Sequence, residues 1–317
     1  MLNVHSTRLF PKDLGANQYK LTGIAARCDW VVFSDKVEPT THLVKRRAGN
    51  QPKTVYLSFR WQRAALRFFV ETVLPQIGHP FILVSGSEDV TIPNQIDHRM
   101  PQFSPQDRDD VKTILDSPYL SAWVAENLDD DSHPKLHPLP LGLVHNEKPF
   151  IRELVSVPES PALSDRPLAA LCGHRVRSGP QWDARRQVTE LVQSDWSDWC
   201  TLLESDVSEH AFSELIEGHS FVICVEGGGI DPSPKAWLTL LHGAIPIIRK
   251  SALSKAYAHL PVVFVDDWSS DAISFEKLGR WKQQYSPFFD QAGLRRSVLK
   301  RLSSDYWWSY VLTCGNS

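Results

Sequence analysis

The sequence has 317 residues, a length that allows two domains or one large one. Hydrophobic residues make up 42% and charged residues 22%, which is typical of a soluble globular protein with a sizeable core. The formal net charge of −3 excludes a general basic surface for nucleic acid, although a local basic patch is compatible with it.

The first half alternates apolar runs with helical patterns. Three short runs rich in Val, Ile and Phe predict buried strands, at 29–34, 54–59 and 80–85. Helical spacing predicts a helix from Trp61 to Gly78 and another over 106–116. An extended segment broken by prolines follows at 135–144.

A linker is predicted at 149–167, which carries four prolines, and the alternation restarts after it. The predicted strands of the second half are 168–172, 199–203, 220–225, 244–249 and 262–265. The predicted helices are 181–194, 208–217 with Ser208 as N-cap, 234–242 and 251–258, before a helical C-terminal stretch at 271–312.

Strands that alternate with helices and are apolar almost throughout indicate parallel sheets covered by helices. We therefore predict an α/β protein with two units of this kind, a cleft between them and a C-terminal helical segment. The predicted domains are 1–155 and 165–317, the second including the terminal helices.

The cysteine pattern and a check for targeting segments indicate the cellular compartment that we expect for the protein. The cysteine count is odd and no CxxC pair occurs, so we expect reduced thiols rather than disulfides or a zinc site. The first residues lack the apolar core of a signal peptide, and no apolar run reaches the ~18 residues that span a bilayer. We predict a cytoplasmic protein without a transmembrane segment, and leave peripheral membrane association open.

The segment 220–249 contains the clearest functional pattern. An apolar strand leads through Gly227, Gly228 and Gly229 into a helix, with Ser233 suited to the N-cap, Pro234 to N1 and Gly243 to C′. A Gly-rich turn that enters a helix N-terminus forms an anion site. Lys235 in the first turn opposes the helix dipole by ~0.3–1 kcal/mol, a penalty that a bound phosphate would reverse.

The alternative is a turn of this kind that binds nothing. The segment matches neither the dinucleotide fingerprint nor the P-loop. Glu226 and Asp231 flank the glycines, and carboxylates beside a phosphate site usually face sugar hydroxyls, although Asp231 also suits a turn before Pro232.

Two arginines follow the first strand of the second half. Arg175 and Arg177 come directly after 168–172, and ligands of open α/β sheets bind at the carboxyl ends of strands. Arginine suits bidentate phosphate contacts. A solvated surface pair is the alternative.

The run EGGGIDPSPKAW, followed by HGAIPIIRKSAL, AY and LPVVFVDDW, resembles the donor-binding half of exostosin-like glycosyltransferases of GT-B type. Upstream, LVSGSEDVTIP, WVAENLD and HPKLHPLPLGL resemble first-domain segments of these enzymes, so the match covers about a third of the chain. Many relatives carry an acid directly after the helix Trp, where this sequence has Leu238.

The resemblance implies GT-B architecture with two Rossmann-like domains, an acceptor-side N-terminal one and a second one that mainly holds a nucleotide-sugar donor at 226–235. It implies a saccharide acceptor, as in surface polysaccharide or glycan synthesis. It also implies that basic side chains and a helix end stabilise the leaving diphosphate, so we expect no metal and no cofactor.

An inverting transfer, the outcome we favour, needs a base near the acceptor hydroxyl. Glu88 and Asp89 both follow a predicted strand, and of the two we favour Asp89 as the base. The alternative interpretation is a polar turn. His145 is the second candidate, and His98 and His174 are weaker ones. A retaining enzyme would need no such base.

Two other function classes stay open. One is a nucleotide-sugar epimerase on the same paired plan, which would convert a donor with no acceptor present. The other is a nucleotide- or glycan-binding module without turnover, which Leu238 keeps open. The eleven tryptophans are compatible with a saccharide ligand, but Trp123, Trp237 and Trp268 lie in segments patterned as core.

Overall fold

The protein is described here by a computed structural model that covers residues 1–9, 21–47, 51–143 and 154–315. The chain divides into two compact units. The N-terminal unit comprises Asn3–Leu154, Gly229–Asp231 and Ser304–Ser317, and the C-terminal unit comprises Met1–Leu2, Val155–Gly228 and Pro232–Ser303.

The N-terminal unit is built on a six-stranded sheet. The strands up to the unit boundary are β1 (Leu2–Asn3), β2 (Trp30–Asp35), β3 (Thr40–Lys45), β4 (Thr54–Ser58), β5 (Phe81–Gly86), β6 (Leu120–Ala125), β7 (Leu136–Pro138) and β8 (Leu154–Val155). The large sheet has the order β3–β2–β4–β5–β6–β7, and all its pairings are parallel except that of β2 with the edge strand β3. Strands β1 and β8 form a separate two-stranded sheet.

The C-terminal unit contains a second, fully parallel sheet. Its strands are β9 (Ala170–Cys172), β10 (Cys200–Leu202), β11 (Phe221–Ile223), β12 (Ile245–Arg249) and β13 (Val263–Val265). They lie in the order β10–β9–β11–β12–β13. Most of their side chains are buried, which explains why these strands are short continuous apolar runs in the sequence.

Ten α-helices accompany the sheets in the described part of the chain. They are α1 (Gln62–Phe68), α2 (Pro105–Asp116), α3 (Asp183–Gln193), α4 (Glu209–Glu217), α5 (Lys235–Leu241), α6 (Ser254–Tyr257), α7 (Phe275–Tyr285), α8 (Pro287–Asp290), α9 (Ala292–Arg301) and α10 (Ser304–Cys314). Helix α1 continues through a π-helical turn at Phe69–Val73 and a 3₁₀ turn at Leu74–Gln76.

The predicted fold class is confirmed: the protein is α/β, with two parallel-sheet, Rossmann-like units and helices at the C-terminus. The predicted N-cap Ser208 is also confirmed, because its hydroxyl accepts a hydrogen bond from the Ala211 N–H at 3.1 Å. The terminal helices behave differently from the expectation. Helix α10 belongs to the N-terminal unit, where it contacts β5 and β6, whereas α7–α9 belong to the C-terminal unit.

Candidate functional site

The strand order of the C-terminal unit locates a ligand-binding position. Numbered within this unit, the strands run 2-1-3-4-5, so the chain reverses its direction of growth between β9 and β11. Ligands of open parallel sheets bind outside the carboxyl ends of the strands at such a switch point. Here those ends are Cys172 of β9 and Ile223 of β11. We call the residues that follow them, with Lys235 and Arg185, the switch-point site.

Lys235 places a buried amine at the switch point. Its Nζ atom is buried and has no hydrogen-bond partner in the described part of the chain, although the residue as a whole is partly exposed. The charge of Lys235 acts on the thiols of Cys172, the last residue of β9, and of Cys224, which directly follows β11. Burial, followed by repulsion from Arg185, lowers the pKa of Lys235 to about 8, while Cys224 acts in the opposite direction.

A buried cation without a hydrogen-bond partner is costly, because it has lost its hydration. No carboxylate is among the groups that act on the Lys235 charge in the described structure. A bound anion would supply the missing counter-charge and hydrogen-bond acceptors. The environment of this amine is therefore typical of a binding site for an anionic ligand.

Arg185, in the first turn of α3, holds the glycine turn in place. Its Nε donates to the Glu226 carbonyl at 3.0 Å, and its Nη1 donates to the Arg175 carbonyl at 3.1 Å. Gln181 donates from Nε2 to the Gly227 carbonyl at 2.6 Å. A Cβ on Gly227 would lie 2.1 Å from Arg185 Nη2, so any side chain at this position would force the guanidinium to move.

Sequence reasoning missed Arg185 and Gln181. Both lie more than 40 residues from the glycine turn they hold, and no local motif marks them. The strand order could have indicated them, because the chain that connects β9 to α3 lies at the carboxyl edge of a parallel sheet, where ligands bind.

The two predicted arginines differ in their surroundings. Arg175 Nε lies 2.5 Å from Asp206 Oδ1, and both side chains are exposed. The Arg177 guanidinium lies over the Trp182 ring, 5.3 Å from its centroid, and Arg185 contacts the same ring at 4.8 Å. The cation–π contacts connect Arg177 to the residues that hold the glycine turn.

His174, which follows β9, is neutral and structurally bound. Its Nε2 donates to the Arg185 carbonyl at 3.0 Å, so Nδ1 is the acceptor nitrogen, 3.5 Å from Cys172 Sγ. Burial and the nearby charges of Lys235 and Arg185 lower the pKa of His174 to about 3. These contacts argue against His174 as a general base.

Glu226 lies at the start of the glycine turn and is oriented by two side chains. Its Oε1 forms an ion pair with Arg249, the last residue of β12, and its Oε2 accepts a hydrogen bond from Trp268 Nε1 at 3.3 Å. Sequence reasoning missed Arg249. The two contacts fix the Glu226 carboxylate beside the carboxyl ends of β11 and β12.

Gly229 and Asp231 belong to the N-terminal unit, whereas the other predicted donor ligands belong to the C-terminal unit. The Asn127 Oδ1 atom accepts hydrogen bonds from the Ile230 and Asp231 N–H groups at 2.9 and 3.0 Å. Asp231 Oδ2 accepts from the Leu141 N–H at 2.6 Å. Gly229 has a φ of +65°, and a Cβ there would lie 2.2 Å from Asn127 Oδ1. These contacts give Asp231 a structural role in anchoring this segment.

Ser233 does not cap the following helix, and this part of the prediction is wrong. Its hydroxyl lies 2.7 Å from the Tyr257 hydroxyl instead. Pro234 occupies the N-cap position without a side-chain cap, and α5 begins at Lys235. Gly243 does follow the helix with a φ of +74°, as predicted for C′. The helix therefore starts one residue later than predicted, with Lys235 as its first residue.

The two candidate carboxylate bases, Glu88 and Asp89, lie after β5 of the N-terminal unit. Asp89 forms an ion pair with Arg99, whose Nη2 is 2.7 Å from Asp89 Oδ2 and which also binds Asp97. The partly exposed Glu88 carboxylate takes part in no ion pair within the described residues, and its Oε1 is 3.4 Å from the Asp89 N–H. His145 lies outside the described residues.

A further carboxylate, Glu126, follows β6 and is almost fully buried. Its Oε2 accepts hydrogen bonds from the Thr7 hydroxyl and, at 2.9 Å, from the Ser87 N–H. Burial raises the pKa of Glu126 to about 7. A Cβ on Gly86 would lie 2.4 Å from the same oxygen, so this strand end is built around the carboxyl group.

The described residues hold neither a metal-binding cluster nor a membrane-spanning helix. No group of three or more His, Cys, Asp or Glu side chains in these ranges is arranged to hold a metal ion. No helix within them is both long and apolar enough to cross a bilayer.

No family model matches this sequence, and no curated protein matches it either. Among solved structures, the fold is similar to a UDP-forming α,α-trehalose-phosphate synthase from Burkholderia vietnamiensis, with 10% identity, a TM-score of 0.43, and coverage of 82% of this chain and 74% of that one. It is similar to an α1,3-fucosyltransferase (13% identity, TM-score 0.33, 86% and 93% coverage) and to the spinosyn forosaminyltransferase SpnP (12% identity, TM-score 0.38, 84% and 77% coverage). At such low identity the function must be argued from the residues of the site.

Proposed function

We propose that the protein is a glycosyltransferase of GT-B architecture that moves a sugar from a nucleoside-diphosphate sugar to a saccharide acceptor. The observation that carries the proposal is the buried Nζ of Lys235 at the switch point of the C-terminal sheet, without a hydrogen-bond partner in the described structure. Its place in the sequence EGGGIDPSPKAW adds the resemblance to the donor-binding half of exostosin-like enzymes.

The donor diphosphate would bind at Lys235 and at the turn of Gly227 and Gly228. Arg185 and Arg177 add positive charge around Trp182, so the leaving diphosphate would be stabilised by side chains of this unit. The proposal therefore includes catalysis without a metal ion or other cofactor.

Glu226 would accept hydrogen bonds from hydroxyl groups of the donor. Its carboxylate is held by Arg249 and Trp268, and an oriented carboxylate binds ribose or sugar hydroxyls at sites of this kind. Leu238 stands where many relatives carry an acid, so Glu226 is the carboxylate we assign to donor recognition in this chain.

The acceptor would be activated by a carboxylate of the Glu88–Asp89 turn, with inversion of configuration. The carboxylate of Asp89, which the sequence analysis favoured as the base, is already paired with Arg99. We therefore assign the role of the base to Glu88. We expect Glu88→Gln to abolish transfer and Asp89→Asn to reduce it less, in an assay that follows acceptor glycosylation. The reverse order would return the role to Asp89.

A thermal-shift screen tests the donor site. Wild-type protein is measured with UDP, GDP, CMP and dTDP sugars, with and without EDTA, because a ligand of the folded state raises the melting temperature. We expect one nucleotide class to raise it whether or not EDTA is present, and Lys235→Met to remove the effect. A shift that survives in Lys235→Met would refute the site, and a shift that EDTA removes would refute metal independence.

A further inference from the structure

The N-terminal unit presents an exposed tryptophan at the carboxyl edge of its sheet. All eleven tryptophans lie in the described ranges; eight are buried, Trp281 and Trp308 are partly buried, and Trp61 is exposed at 38%. Trp61 follows β4 and precedes α1, so it lies where the chain leaves the sheet. No described residue accepts a hydrogen bond from its indole nitrogen.

The backbone around Trp61 is held firmly. The Ser34 hydroxyl of β2 donates to the Ser58 carbonyl at 2.6 Å and accepts from the Trp61 N–H at 3.1 Å. Gln62 donates from its side chain to the Pro101 carbonyl at 2.8 Å. A backbone segment held in this way loses little conformational freedom when a ligand binds beside it.

Polar groups follow the neighbouring strands at the same edge. Ser58 of β4 pairs with Gly86 of β5, so Arg60 and Glu88 come two residues after paired positions. Arg60 is buried, 4.0 Å from Asp35 at the end of β2, and is attracted by both Asp35 and Glu88. Glu88 itself is partly exposed.

A sugar ring has the chemistry that this arrangement recognises. One face of a pyranose presents C–H groups, which pack on a flat aromatic surface, while its rim presents hydroxyl groups for carboxylates. We propose that Trp61 and Glu88 form a saccharide-binding subsite for the acceptor, with Trp61 as the stacking platform and Glu88 beside the reacting hydroxyl. This inference rests on the proposed glycosyltransferase function.

The same sheet supplies a matched control. Tyr119 is exposed at 40% but precedes β6, at the amino edge of the sheet and away from the strand ends that carry Arg60 and Glu88. Removal of either ring deletes an exposed aromatic surface. Only the removal of Trp61 should affect saccharide binding.

The test uses the full chain and a printed array of defined mono- to hexasaccharides. We expect wild type and Tyr119→Ala to retain the same glycans, and Trp61→Ala to lose about five- to tenfold in apparent affinity for them. Trp61→Phe should retain more binding than Trp61→Leu, because Leu keeps apolar volume but has no aromatic face. Melting temperatures of all variants verify that they are folded.

Equal retention by wild type and Trp61→Ala would overturn the subsite, and so would a wild type that retains no glycan on the array. Equal binding by the Phe and Leu variants would overturn the stacking role. The nucleotide-induced thermal shift of the wild type reports on the proposed function separately. If a nucleotide sugar raises the melting temperature of the wild type but the Trp61 variants bind glycans as the wild type does, the proposed function stands and this subsite is refuted.

Discussion

Replacement of Lys235 by methionine should make the protein more stable and weaken its binding of the donor. The methionine side chain is apolar and similar in length, so it fills the space of the lysine without its charge. A residue retained for binding at the expense of stability gives this combination. A residue that only supports the fold would give the opposite one.

The stability gain follows from the pKa of Lys235, which burial lowers from the ordinary 10.5 to about 8. This lowering of the pKa corresponds to roughly 3 to 3.5 kcal/mol, at about 1.4 kcal/mol per pKa unit. Below pH 8 both folded and unfolded chains carry the protonated amine, so the full penalty applies there. Between pH 8 and 10.5 only the unfolded chain keeps the proton, so the penalty disappears as the pH rises.

Denaturant unfolding at a series of pH values measures this difference. Lys235→Met should exceed wild type by up to about 3 kcal/mol at pH 7, and the two should converge towards pH 10.5. Lys250 provides the control, since its exposed amine lies 2.5 Å from Asp266 and its replacement by methionine should leave stability nearly unchanged.

Calorimetry with the nucleotide that the thermal-shift screen identifies completes this test. Loss of one charge-assisted hydrogen bond to phosphate should weaken binding by about ten- to a hundredfold. Wild-type binding should also weaken above pH 8, where the free amine loses its proton. A Lys235→Met protein of unchanged stability and unchanged nucleotide affinity would refute the reasoning.

Two further substitutions test the packing of the sites. Gly227→Ala should weaken nucleotide binding by at least about tenfold, because its Cβ would lie 2.1 Å from Arg185 Nη2 and displace that side chain. The control is Gly293→Ala, where a Cβ meets nothing within 4 Å. Equal nucleotide affinities of the two variants in titration calorimetry would contradict this role of Gly227. Glu126→Gln should change the pH dependence of stability, because burial raises the pKa of Glu126 from 4.5 to about 7. Above pH 7 the buried carboxylate of the wild type destabilises the fold by up to about 3 kcal/mol. Below pH 4.5 the carboxyl group is protonated in both states, and this penalty is absent. The stability difference between Glu126→Gln and wild type should therefore grow in denaturant unfolding from pH 5 to pH 8, and a difference independent of pH would show that the carboxyl group titrates normally.

Most of the parallel strands could be predicted because burial on both faces leaves a local mark, a short run of apolar residues. Strand β3 was missed because it is an antiparallel edge strand with the mixed sequence TTHLVK, and all but its last residue are only partly buried. Strand β6 was not predicted as a strand either, although it is apolar and mostly buried. Helix α10 could not be assigned to its unit, because its partners β5 and β6 are about 200 residues away in the chain.

The candidate site shows the same division between local and distant information. Lys235 and the glycines were found because their spacing is local. The residues that orient them were not, since the partners of Glu226 are Arg249 and Trp268, which follow it by 23 and 42 residues. Ser233 misled the helix prediction because its hydroxyl contacts Tyr257, a residue that no capping rule considers.

The central claim is that the protein releases a nucleoside diphosphate by transferring the sugar of its donor. The most direct measurement is chromatographic detection of free diphosphate after incubation of the full chain with each nucleotide sugar, with and without the glycans that it retains. We predict release from one donor, stimulated by a retained glycan and absent in Lys235→Met. Conversion of a donor to its sugar epimer without release would indicate an epimerase. Lack of release from every donor, with the glycans present, would contradict the glycosyltransferase account.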